Sequence, residues 1–128
     1  MIERILQEIN LLRGKYGALE YDQNVGWILF KEFKLPMGWN REVIELLVVI
    51  PSGYPSTPPD NFFVPVGFRL ASGVQAGNYS EGPSHLGKQW GQFSYHNDSD
   101  WHPSNDILEG DNLLSFMIKV SDRLRELN

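Results

Sequence analysis

The stretch Val43 to Ile50, VIELLVVI, is apolar on both alternating sets of positions after Glu45. Side chains on a strand point to opposite faces in turn, so this run predicts a central strand covered on both faces, one of them by a helix. Directly after it come Pro51 and the segment Tyr54-Pro55-Ser56-Thr57-Pro58-Pro59. Proline fixes φ and removes an amide donor, so the sheet cannot continue through such a turn. Before it, Val25 to Phe33 carries Trp27, Ile28, Phe30 and Phe33 and is separated from Val43 by the turn-like residues 36–40. The two segments read as antiparallel neighbours. Asn61 to Leu70, NFFVPVGFRL, is a third strand candidate, and Pro65 assigns it to an edge or a bulge.

Helical patterns flank these strands. Ile2, Ile5, Leu6, Ile9 and Leu12 recur at three- and four-residue steps and predict a short amphipathic helix ending near Gly14, its other face charged. Leu113, Leu114, Phe116, Met117, Val120 and Leu124 predict a second helix from about Asp111, whose side chain is placed to cap it. From Ala71 to Gly87 no apolar periodicity survives among Gly73, Gly77, Gly82, Pro83 and Gly87, which predicts a long loop. The expectation is an α+β fold: an N-terminal helix, an antiparallel meander of three to four strands, a long loop and a C-terminal helix. With 128 residues, 1–128 reads as a single domain large enough to bury roughly two-thirds of its unfolded surface.

Charge and composition narrow the function classes. A formal charge of −5 and a pI near 5.1, with no run of Lys or Arg, argue against nucleic-acid binding, which requires a basic face. Glu3 and Glu8 interrupt what would be the apolar region of a signal peptide, and the longest apolar run, Leu46 to Ile50, is far too short to span a membrane. A cytoplasmic protein without membrane partners is therefore expected. The chain has no cysteine, so disulfides, thiolate metal sites and a cysteine nucleophile are excluded within it. The spacings of His85, His96 and His102 match no compact metal-ligand pair, and neither a metal nor another cofactor is expected.

Chemistry-bearing side chains concentrate in Gly91 to Pro103, GQFSYHNDSDWHP. A serine hydroxyl is barely ionised near neutral pH, so Ser94 could act as a nucleophile only with an adjacent general base. Imidazole titrates in the right range. His96 shares the side of Ser94 if the segment is extended, because side chains alternate along a strand. His85 and His102 are alternatives that folding would have to bring near. Asn97 or local backbone amides are candidates to hold a developing oxyanion, and Asp98 or Asp100 to orient a histidine. The same residues also suit a plain polar surface segment.

Tyr54-Pro55-Ser56-Thr57-Pro58-Pro59 after an apolar strand resembles the Y-P-x-x-P-P signature of ubiquitin-conjugating enzymes. Gly91-Gln92-Phe93-Ser94 resembles that family's G-x-x-C motif with Ser94 in the cysteine position. Trp101-His102-Pro103, seven residues past Ser94, resembles its W-x-P. The resemblance runs from Ile2 to Leu127 and rests chiefly on the order of elements: helix, meander, Y-P-x-x-P-P, active-site stretch, W-x-P, helix. It implies a ubiquitin-conjugating-enzyme-like fold, with Tyr54, Pro55, Pro58, Pro59, Trp101 and Pro103 structural. The family's H-P-N segment has no match in register: position 86 is Leu86, next to His85, while Asn78 and Asn97 lie elsewhere. The compact form is most similar to the bacterial branch that accompanies ubiquitin-like modifiers and ThiF-like adenylating enzymes.

Two functions follow from the resemblance. In the first, the protein accepts the C-terminal acyl group of a ubiquitin-like modifier from an adenylating enzyme as an oxyester on Ser94, with His96 or His85 as base and Asn97 as oxyanion donor. In the second, it is a non-catalytic scaffold, similar to RWD domains, that binds the modifier or its activating enzyme.

Overall fold

A computed structural model describes residues 2–94 and 100–128. The elements are α1 (Ile2–Tyr16), β1 (Leu19–Asp22), β2 (Trp27–Lys34), β3 (Val43–Val49), β4 (Asn61–Pro65), β5 (Tyr79–His85), β6 (Lys88–Ser94) and α2 (Leu113–Arg125). All six strands form one antiparallel sheet in the order β1-β2-β3-β4-β6-β5. The α+β architecture is that of a ubiquitin-conjugating-enzyme-like fold, with six strands where the sequence predicts three to four.

Both helices contribute to one buried cluster. Ile9 and Leu12 of α1 and Phe116, Met117, Val120 and Leu124 of α2 join Phe30, Leu46, Val48, Phe62, Val64 and Phe93 from the sheet. On the reverse face Leu29, Leu47, Phe63 and Trp90 make a second, smaller cluster. Strand β3 thus buries Leu46 and Val48 on one side and Leu47 on the other, as its continuous apolar run requires.

Four expectations are corrected. α1 runs through Gly14 and ends at Tyr16, where Gly17 takes a φ of 72° and its N–H bonds the Arg13 carbonyl, a conformation that glycine adopts without a Cβ penalty. β4 stops at Pro65 and lies between β3 and β6, not at an edge, because the proline occupies its last position. Within the predicted 71–87 loop, residues 79–85 are strand β5, which returns through Leu86 and Gly87 into β6. Both turn residues have positive φ, 55° and 74°, the geometry of a tight two-residue hairpin turn. The cap of α2 is Asn112, one residue beyond Asp111, in a reciprocal capping box with Ser115.

Glu8 also departs from expectation. It lies on the buried side of α1 and is fully excluded from solvent. Its carboxylate accepts from the Tyr54 hydroxyl, from the Leu113 N–H at 2.6 Å and from Arg4 Nε at 2.8 Å. One acidic side chain therefore ties together α1, the proline-rich turn and the first residue of α2. Burial, and then the hydrogen bond to Glu8, push the Tyr54 hydroxyl far above its ordinary pKa, so it is a fixed donor.

Candidate functional site

Ser94 is the last residue of β6 and pairs across the sheet with Asn61 of β4. Alternation along β6 puts Trp90, Gln92 and Ser94 on the face away from the helices and Phe93 on the helix side, where it joins the main cluster. The Ser94 hydroxyl is thus offered on the open face of the sheet, half-buried, with Gln92 Nε2 at 3.5 Å.

On the other edge of β6, Asn78 meets Ser94 twice. The Ser94 N–H donates to the Asn78 carbonyl at 3.0 Å, and Asn78 Nδ2 donates to the Ser94 carbonyl. Asn78 has a φ of 51°, a left-handed conformation that asparagine tolerates better than most residues and that lets both its backbone and its side chain face the same neighbour. In the sequence Asn78 is out of register with the H-P-N motif. The register becomes visible only once β5 and β6 are paired, which puts residue 78 opposite residue 94.

Gly91, the first residue of the G-x-x-S segment, has a steric reason to be glycine. A Cβ there would fall 2.4 Å from Tyr79 Oη and 2.5 Å from its ring. Tyr79 cannot easily withdraw: its ring packs at 5.5 Å from Phe93 and under the Arg69 guanidinium, and its hydroxyl donates to Glu81 at 2.7 Å. Gly91→Ala is expected to cost roughly 1–3 kcal/mol, as overpacking does, and the urea unfolding midpoint measures it. An unchanged midpoint would mean that Tyr79 moves freely.

The two structural motifs meet. Tyr54 and Pro55 are joined by a cis peptide, and Trp101, itself buried, donates its indole N–H to the Pro55 carbonyl at 2.6 Å, with its ring 6.1 Å from that of Tyr54. Pro58 and Pro59 are buried beneath the turn. Pro103 bridges to Asp111 just before α2, and Asp111 also accepts from the His102 N–H at 2.8 Å. The chain is therefore anchored at Ser94 and again at Trp101.

The histidines are distributed differently from the simplest expectation. His85 closes β5 and packs its ring 4.6 Å from that of Phe63 on the open face. Among the described residues no hydrogen bond joins it to Ser94. His102 is exposed beyond Trp101 and is engaged through its backbone with Asp111. His96, Asn97 and Asp98 lie outside the described residues. No cluster of metal-ligating side chains exists among the described residues, and none of their helices is long and apolar enough to cross a membrane.

Residues 6–126 match the family described as prokaryotic E2 family E. No curated protein and no solved structure matches the chain.

Proposed function

From a chain that belongs to prokaryotic E2 family E, we propose a conjugating protein that carries the C-terminal acyl group of a ubiquitin-like modifier as an oxyester on Ser94. The observation that carries this reading is the end of β6: a half-buried serine on the open sheet face, its backbone bonded to Asn78 on one side and lying opposite Asn61 of β4 on the other. In the forward step the Ser94 oxygen attacks the activated carbonyl carbon of the modifier, its proton passes to a general base, and the activating group leaves. In the second step an acceptor nucleophile attacks the ester carbonyl and Ser94 recovers a proton. His96 is the proposed base on sequence grounds, and Asn97 and Asn78 are the proposed amides for the oxyanion. The partners in this reading are the modifier and a ThiF-like adenylating enzyme.

A scaffold that binds these partners without chemistry is the second reading. It is favoured by one feature: among the described residues, the hydrogen-bond partner of the Ser94 hydroxyl is Gln92 and not an imidazole.

Incubation with ATP, the modifier and the adenylating enzyme, followed by denaturing electrophoresis, tests the choice. An oxyester adduct is expected to survive thiol reductant and to be cleaved by mild alkali. No adduct, with partner binding intact, would leave the scaffold reading. Ser94→Cys probes position independently of base chemistry. A thiol there is expected to charge readily and to give a reductant-labile adduct, whereas an inert thiol would disqualify position 94 as the acceptor.

A further inference from the structure

Arg123 of α2 is a buried guanidinium with no use in the steps above; it is only 7% exposed. Its Nε and Nη2 both donate to Asn78 Oδ1, at 3.3 and 3.1 Å. Nη2 also reaches the Gly77 carbonyl and a main-chain oxygen of Asn128, Nη1 reaches the Glu126 carbonyl, and the group lies 5.1 Å over the Phe93 ring, next to Ser94. The Glu126 carboxylate, mostly exposed, lies 4.0 Å from Nη1. The guanidinium is therefore held by several oxygens, one of them on the side chain that contacts Ser94.

A carboxamide can present either its oxygen or its nitrogen to a neighbour by turning over. Here the two neighbours agree on one orientation. Arginine can only donate, so it takes Oδ1, and the Ser94 carbonyl can only accept, so it takes Nδ2. We infer that Arg123 is the positioning residue of the Asn78–Ser94 pair, its guanidinium fork holding the Asn78 amide N–H toward Ser94. The inference deepens, and rests on, the reading of Ser94 as acceptor. A bidentate cation on Oδ1 also draws electron density from the amide and makes Nδ2 a stronger donor. Burial lowers the Arg123 pKa, yet the group stays protonated across the working pH range, so the clamp does not switch off.

The test uses the whole protein labelled with ¹⁵N. The Asn78 side-chain amide is identified by its disappearance in Asn78→Ala. In Arg123→Lys, which retains a positive charge without the planar fork, the Asn78 amide is expected to move toward free-asparagine shifts and to exchange with water about tenfold faster, while the Phe93 backbone signal stays in place. Adduct formation is expected to fall about tenfold with modifier binding unchanged, and the double variant Arg123→Lys/Asn78→Ala is expected to be no slower than Asn78→Ala alone. An unchanged Asn78 amide, or losses that multiply in the double variant, would overturn the assignment. If Arg123→Lys does not fold, the wild-type Arg123 Nε–H decides: slow exchange and cross-relaxation to Asn78 support the clamp, and free exchange refutes it. Absence of any adduct from the wild type removes the acceptor reading alone, because the amide spectra judge Arg123 without it.

Discussion

Ser94→Ala is expected to give no alkali-labile adduct at all, while the protein folds and binds its partners as before. The two halves of that expectation have separate physical causes. In the proposed acceptor role the adduct depends on one oxygen, and alanine has none to offer. The fold is nearly indifferent to it, because the Ser94 side chain is half-buried and among the described residues its hydroxyl has one long contact, to Gln92, whereas its backbone bonds to Asn78 persist in any residue. A stability change of about 0.5 kcal/mol or less is expected, as for ordinary surface substitutions. Electrophoresis after alkali treatment reads the first half and thermal unfolding the second. A persistent alkali-labile adduct in the alanine variant would move the acceptor to another hydroxyl.

Glu8→Ala is expected to be the most destabilising single change in the molecule, at about 3–5 kcal/mol. The substitution strands three donors together. The Arg4 guanidinium, paired with Glu8 at 2.8 Å, loses its carboxylate, the buried Tyr54 hydroxyl loses its acceptor, and the Leu113 N–H at the start of α2 loses an anion placed where the helix dipole favours one. Glu8→Gln retains one acceptor oxygen and is expected to fall between the wild type and the alanine variant. Urea unfolding measures both, and a loss below about 1 kcal/mol for Glu8→Ala would mean that solvent replaces the carboxylate.

The core elements were readable because their periodicity is strong. β3, β2 and the two helices all carry apolar side chains at the spacing their burial requires, and the proline-rich turn marks where the sheet must stop. β1 has only four residues, Leu19–Asp22, of which Leu19 alone is buried, so it exists because β2 offers it a ladder. β5, YSEGPSH, buries only Tyr79 fully and contains Gly82 and Pro83, so its composition reads as loop and its pairing is decided by β6. The Leu86-Gly87 turn lacks the asparagine or aspartate that commonly signals a tight hairpin. That omission hid the partner of Ser94, since Asn78 becomes a neighbour only through long-range pairing. Glu8 was visible in principle as a carboxylate inside the Ile5–Ile9–Leu12 stripe, but helical spacing does not say whether such a group is buried or turned outward. Arg123 likewise carries no local mark of its bond to a residue 45 positions away.

The placement of β5 at the sheet edge has a consequence for the solution behaviour of the protein. An open strand edge is a template on which a second chain, or an extended tail of a partner, can polymerise. Here that edge is interrupted between Glu81 and Ser84, where the register shifts, Gly82 adopts a φ of 146° and Pro83 has no N–H to donate. The opposite edge, β1, is too short to seed a stable ladder. An extended peptide meeting this sheet therefore finds a face to dock on rather than a strand to extend, and neither edge invites aggregation.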